Sequence, residues 1–378
     1  MKYFIIAGEP SGDLHGSNLV RNLFRADPAA DIACWGGDLM RDAGGRLLKH
    51  YRETAFMGVW EVLVNIRKVK ANFSQCRREI TSMRPDVVIL IDYPGFNLRM
   101  ARYAKKLGIR VYYYISPKFW AWREGRVKGI KKYVDRLYII FPFEKAFYKK
   151  HDYAVTFLGN PLLDHVETWR NTAPDRESII ASLGLDSRPV IALLSGSRLQ
   201  EVSKMLPVMA SVAPGFPDYQ FVVAAMDHLP AGLYEEITRS YPVRVINGRT
   251  YDLMAVAEAA LVTSGTATLE AALFDVPQVV CYRTSSLTYT LGKRFIKVRF
   301  LSLVNLIMER EVVRELIQND LNRKKLHSEL QDIIATGYRH DQIRRDYVEL
   351  RGILEGGGAS ARVAEDMVEN LQKTGRGQ

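Results

Sequence analysis

At 378 residues the chain is longer than one ordinary core encloses, so two domains are expected. A hydrophobic share of 47% with 25% charged residues excludes a disordered or fibrous chain, and three scattered cysteines (Cys34, Cys76, Cys281) exclude a disulfide framework or a structural zinc site and fit a reducing cytoplasm. Charge is one-sided: residues 1–160 carry 28 Lys and Arg against 15 Asp and Glu, while the rest of the chain is close to neutral. Such a field suits nucleic acid, an anionic membrane or a phosphorylated substrate, and equally a solvated basic face.

The first apolar run, Tyr3–Ala7, is too short for a secretory signal and reads as a buried strand. No apolar stretch approaches the roughly 18 residues that span a bilayer. After the strand comes Gly8-Glu9-Pro10-Ser11-Gly12-Asp13 and an amphipathic helix. Pro10 breaks a dinucleotide fingerprint and no Gly-Lys-Ser/Thr follows, so neither a Rossmann loop nor a P-loop is present. Glu9, Ser11 and Asp13 together point to a polar substrate pocket rather than a bare turn.

Residues 56–70 come next. At helical spacing Val59, Val62, Leu63, Ile66 and Val69 share a face with Trp60 beside it, and Arg67, Lys68 and Lys70 follow. An interfacial helix is built this way, and so is a core-facing one. Lys293–Phe300 is a second basic and apolar segment.

Val87–Ile91 is a buried strand ending at Asp92-Tyr93-Pro94-Gly95. A carboxylate at that tip has two equal readings: a general base for a sugar hydroxyl, or a cap for the helix that follows. Arg110–Ile115 leads into Ser116-Pro117-Lys118-Phe119-Trp120-Ala121-Trp122-Arg123, able to stack bases or hold an acyl chain. It lacks the repeated aromatic and basic interleaving of a single-strand binder, which ranks nucleic acid lower. Leu137–Phe141 is a further strand.

The pattern restarts at Val190–Leu194, followed by Ser195-Gly196-Ser197-Arg198, a diphosphate clamp by residue type. Ala260–Val262 leads into Thr263-Ser264-Gly265-Thr266, which opens a helix carrying Glu270. Free N–H groups there suit phosphate, and Glu270 suits ribose hydroxyls or a plain surface role. No Asp-x-Asp or His-rich cluster calls for a metal. Continuous apolar strands alternating with helices predict an α/β chain of two doubly wound, Rossmann-like domains with an interdomain cleft and a helical C-terminal tail. The expected boundaries are 1–165, 166–345 and a tail over 346–378 that crosses back to the first domain.

Taken in order, eight motifs resemble the lipid A disaccharide synthase family over nearly the whole chain. They are Ala7-Gly8-Glu9-x-Ser11-Gly12-Asp13, Met57-Gly58-x-x-Glu61-Val62-Leu63, Ile91-Asp92-x-Pro94-x-Phe96-Asn97, Ser116-Pro117-x-x-Trp120-Ala121-Trp122-Arg123, Phe141-Pro142-Phe143-Glu144-Lys145-Ala146-Phe147-Tyr148, Gly196-Ser197-Arg198-x-x-Glu201-Val202, Ser264-Gly265-Thr266-Ala267-x-Leu269-Glu270 and Tyr282-Arg283. The resemblance implies a GT-B glycosyltransferase that works without metal or cofactor. Its donor would be UDP-2,3-diacylglucosamine and its acceptor 2,3-diacylglucosamine 1-phosphate (lipid X), joined β-1′,6 with inversion. It implies a cytoplasmic enzyme peripheral to an anionic inner-membrane surface, monomeric or homodimeric, with no nucleic-acid partner. Carried onto this chain, it makes Asp92 the base, assigns Arg198, Ser264, Gly265, Thr266, Glu270 and Asn305 to the donor, and turns Val59, Trp60, Val62, Leu63 and Ile66 to the membrane. Two positions depart: Gly95 stands where many members carry a second acid, and Ser195 replaces a common proline. The alternatives are another GT-B enzyme acting on a UDP-amino sugar, such as a lipid-linked N-acetylglucosaminyltransferase or an epimerase, and a non-catalytic basic binding protein.

Overall fold

A computed structural model describes residues 1–54, 65–122, 124–285, 299–335 and 337–375. It divides into two compact units, residues 1–164 with 355–378, and residues 165–354. The sequence reading begins a tail at 346, but His340–Ile353 is one continuous helix of the second unit.

The first unit holds a parallel seven-stranded sheet. In chain order its strands are β1 (Lys2–Ala7), β2 (Asp31–Gly36), β3 (Arg46–His50), β4 (Val87–Ile91), β5 (Arg110–Tyr114), β6 (Arg136–Ile139) and β7 (Thr156–Phe157), arranged β3-β2-β1-β4-β5-β6-β7. Alternate residues of β1 feed opposite faces: Phe4 and Ile6 join one buried cluster, Tyr3, Ile5 and Ala7 the other. That is the period-two consequence of a sheet covered on both sides, and it explains why the strands read as unbroken apolar runs.

One cover comes from the far end of the chain. Helix Ala359–Gly375 places Val363, Ala364, Met367, Val368 and Leu371, one stripe at helical spacing, in the second cluster. Its start is capped by Asp164, whose carboxylate accepts from the N–H groups of Gly358 (2.6 Å), Ala359 (3.0 Å) and Ser360 (2.7 Å). Arg136 and the Tyr138 hydroxyl both bond Asp366, each at 2.7 Å.

The second unit has a parallel six-stranded sheet of β8 (Val190–Leu194), β9 (Gln220–Ala225), β10 (Val243–Asn247), β11 (Ala257–Thr263), β12 (Gln278–Tyr282) and β13 (Arg314–Ile317), in the order β10-β9-β8-β11-β12-β13. In each unit strand order reverses between two central strands, β1/β4 and β8/β11. Ligands of open parallel sheets bind beyond the carboxyl ends of such pairs. All three cysteines are buried and unpaired. Among the described residues no helix is long and apolar enough to cross a membrane.

Candidate active-site residues at the two switch points

At the first switch point β1 runs into Gly8-Glu9 and β4 into Asp92-Tyr93. Asp92 and Tyr93 are consecutive left-handed residues, φ 42° and 46°, and Ile115 after β5 is left-handed at 64°. Such a conformation costs a non-glycine residue on the order of 1–3 kcal/mol, and surroundings must impose it. Here the Asp92 carbonyl is seized from two sides, by the Tyr113 hydroxyl and by the buried amide of Asn97 at 2.8 Å. The Tyr93 ring then lies over Gly8, where any Cβ would collide with it, and its hydroxyl donates to the Thr54 carbonyl at 3.0 Å.

This geometry removes the helix-cap reading of Asp92. The cap position of helix Pro94–Lys106 is Tyr93, and no side chain caps it. Asp92's carboxylate has no side-chain hydrogen bond among the described residues. Burial and the nearby Glu9 carboxylate push its pKa up to about 6, while Lys118 and the Tyr93 backbone pull the other way. A carboxyl poised there passes a proton near neutral pH. Gly95 is exposed with open space around it. The neighbouring acid comes from Glu9, across the strand pair.

The other residues of the first loop divide. Ser11 is exposed in the first turn of helix Pro10–Ala26. Asp13 is buried, and its oxygens accept from the N–H groups of Gly37 (2.7 Å), Leu39 (3.2 Å) and Met40 (3.1 Å). The expectation that Asp13 faces substrate is therefore corrected: its carboxylate is spent on the turn after β2.

Beside Asp92 the Ser116–Trp120 and Phe141–Tyr148 motifs interlock. Buried Glu144 accepts from the Ile140 (3.2 Å) and Phe141 (3.1 Å) amides, and burial pushes its pKa up to about 7. Ser116 bonds the Tyr148 hydroxyl at 2.6 Å, and Trp120 meets Phe143 edge-on at 4.9 Å. These loops shape the rim that carries Lys118, an exposed cation. Arg123 lies outside the described residues.

At the second switch point Leu194 pairs with Val262, so Ser195 and Thr263 stand next to each other at the strand tips. Both are buried, and both hydroxyl oxygens lack a hydrogen-bond partner. Leaving a buried hydroxyl's bonds unmade costs about 1–3 kcal/mol, so two side by side offer hydrogen bonds that a polar ligand could complete. Around them, Arg198 starts helix Leu199–Ala210 with its side chain exposed, 3.8 Å from Glu201. His228 bonds the Ser197 carbonyl at 2.8 Å. Gly265 and Thr266 open helix Thr266–Leu273 with free space around Gly265, and Ser264 donates to the Leu301 carbonyl at 2.9 Å. Open N–H groups, a guanidinium and two unmade hydroxyls have the chemistry to receive a diphosphate.

Glu270 on that helix is half-buried and accepts from the Tyr251 hydroxyl at 2.9 Å. Burial raises its pKa. Asn305 departs from expectation. Wholly buried, it receives the Val312 (2.8 Å) and Val313 (3.0 Å) amides and donates to the Val313 carbonyl (2.8 Å) and Glu315 (3.0 Å). Every bond its amide can make is used inside the protein, so it holds a turn and presents nothing to a donor.

Val59, Trp60, Val62 and Leu63 lie outside the described residues, as do 293–298 of the second basic segment. Ile66, 42% exposed, begins helix Ile66–Met83. The sequence reading placed Ser195 and Thr263 in the two phosphate loops and Lys118 in the Ser116–Arg123 motif without giving any of the three a role of its own, and it missed that Glu9 is the acid beside Asp92. The signal for Ser195 was present in its replacement of a proline, since a hydroxyl in that place gains meaning only beside Thr263.

Comparison with known proteins bears on these sites. A family model described as lipid-A-disaccharide synthetase matches residues 3–365. The lipid-A-disaccharide synthase of Geobacter sulfurreducens is 40% identical over 98% of each chain. That of Coxiella burnetii is 37% identical over 97% of each. Among solved structures, a Neisseria meningitidis UDP-GlcNAc 2-epimerase bound to UDP-GlcNAc superposes with TM-score 0.69 at 12% identity, covering 98% of this chain and 100% of that one. The calicheamicin glycosyltransferase CalG4 does so with TM-score 0.60 at 16% identity, covering 99% and 98%. These two share the GT-B-like fold of paired parallel α/β domains. The chain belongs to the lipid-A-disaccharide synthase family and is a glycosyltransferase of lipid A synthesis.

Proposed function

We propose that the chain transfers 2,3-diacylglucosamine from UDP-2,3-diacylglucosamine to the 6-hydroxyl of lipid X, with inversion, and that Asp92 is the base. Asp92 takes the hydroxyl proton as the acceptor oxygen forms its bond to the anomeric carbon. The bond from that carbon to the diphosphate oxygen breaks on the opposite face, and UDP leaves with the electron pair. Negative charge grows on the diphosphate as the ring becomes cationic. Arg198 and the amides of Gly265 and Thr266 meet that charge, with Ser195 and Thr263 completing their hydrogen bonds to phosphate oxygens; the Ser264 amide is held by the Cys281 carbonyl at 3.2 Å. Glu270 receives the ribose hydroxyls. Glu9 keeps Asp92 basic, and Lys118 and Ser11 line the acceptor side.

The observation that carries this reading is the Asp92 carboxylate: locked by its backbone at a strand tip, without a side-chain partner, and raised to about 6. The enzyme works from the cytoplasmic side as a peripheral protein, its 56–70 segment against anionic lipid. Mass spectrometry of the product from UDP-diacylglucosamine and lipid X tests the assignment. The expected product is a tetraacyl disaccharide 1-phosphate with stoichiometric UDP; release of UDP without a disaccharide contradicts it.

A further inference from the structure

Helices Ile66–Met83 and Pro94–Lys106 pack side by side and leave a groove of about 800 Å³ on their outer side. Its position follows from the sequence. The first helix buries Asn72, Cys76 and Ile80, which throws Lys70, Arg77 and Arg78 outward; the second buries Phe96, Met100, Ala101 and Ala104, which leaves Arg99 and Tyr103 at the seam. The floor is aromatic and half-buried, with the Arg99 guanidinium 4.9 Å over Phe73 and that of Arg77 5.2 Å over Tyr103.

Four cations line this groove and no acid does. Among the described residues Lys70, Arg77, Arg78 and Arg99 take part in no ion pair. The first helix has a single acid, Glu79, which is occupied by the Trp35 indole N–H at 2.6 Å and by Gln75 at 2.9 Å. The second helix has none. Gathered cations without counter-charge are a standing demand for an anion. Guanidinium forks match phosphate oxygens, and the ring floor matches hydrocarbon.

We propose that this groove binds the phosphate head group of an anionic phospholipid at a bilayer surface. The cations take the phosphate oxygens, while Phe73 and Tyr103 lie against the glycerol and first acyl carbons. The choice of a bilayer over a free phosphate rests on the aromatic floor, on Ile66 exposed one turn before Lys70, and on the apolar 56–66 stretch leading into the same helix. It rests on the peripheral-membrane reading given above.

Flotation of the full chain with phosphatidylglycerol or phosphatidylcholine vesicles tests it. Wild type is expected to float with the former and not the latter. The variant Arg77→Gln/Arg78→Gln/Arg99→Gln loses roughly 100-fold in vesicle affinity, at about fivefold per cation. A charge-matched control, Arg323→Gln/Lys324→Gln/Arg344→Gln, keeps wild-type affinity. Both triple variants retain turnover on detergent-dispersed substrates. If the groove variant floats like wild type, the groove assignment is overturned while membrane binding stands. If wild type does not float, the membrane reading itself fails. Displacement from vesicles by millimolar inorganic phosphate, or by a single-stranded RNA 12-mer in a manner lost in the groove variant, overturns the lipid assignment in favour of that ligand.

Discussion

The two switch points share one topology and carry opposite chemistry. At β1/β4 the loops bring two carboxylates together, so one is held half-ready to accept a proton. At β8/β11 the same strand ends carry two hydroxyls with unmade bonds, flanked by a guanidinium and a helix start. A doubly wound sheet thus fixes where chemistry happens, and the one or two residues at each strand tip decide which charge is received.

Substitutions at the tips break that comparison unequally. Asp92→Asn removes the proposed base and is expected to cut turnover by on the order of 10³-fold, with UDP-sugar affinity by calorimetry nearly unchanged. Near-normal turnover would place the base elsewhere. The same variant gives a second reading of opposite sign. Because folding raises this pKa from 3.8 to about 6, ionisation works against the fold above pH 6 and not below pH 4. Asp92→Asn therefore gains thermal stability at pH 8, and the gain fades as pH falls through 6.

Arg198→Ala, on the anion side, should lower kcat about 100-fold while leaving the acid limb of the pH–rate profile in place. A moved limb would mean the two sites are not chemically separate. Smaller is the paired change Ser195→Ala and Thr263→Val. It deletes two unmet hydroxyls, so melting temperature holds or rises, while UDP affinity drops about tenfold. Falling stability with intact UDP affinity would make these hydroxyls structural.

The smallest effects sharpen the carboxylate side. Glu9→Gln removes a charge that raises Asp92, so the acid limb shifts to lower pH; Lys118→Gln removes one that lowers it, so the limb shifts upward. Each shift is expected to be under about one pH unit, and equal directions in the two variants would dissociate the limb from Asp92.

Much of this is legible in the sequence. Unbroken apolar strands such as Val87–Ile91 foretold parallel sheets covered on both faces, and the loops after them foretold where polar residues gather. What escaped was partnership across strands. Glu9 and Asp92 are far apart in sequence and adjacent only through β1/β4 pairing, and the Ser195–Thr263 pair exists only through β8/β11. Motif reading also treats every polar residue as available. Asp13 and Asn305 look like site residues on paper, but backbone amides in distant turns consume them. Satisfaction of hydrogen bonds is a three-dimensional property, and single motifs are silent on it.

The helix Ala359–Gly375 sets an order on biogenesis. While the ribosome is still making the second unit, the sheet of the first lies complete in its strands, but the cluster that holds Tyr3, Ile5, Tyr112 and Tyr138 still lacks Met367 and Leu371. An apolar face of that kind is sticky for as long as synthesis lasts, roughly ten seconds or more for the intervening residues. The amino-terminal half of this protein is therefore finished last, and a stop codon anywhere between residues 165 and 358 would leave it translated in full yet unable to seal itself.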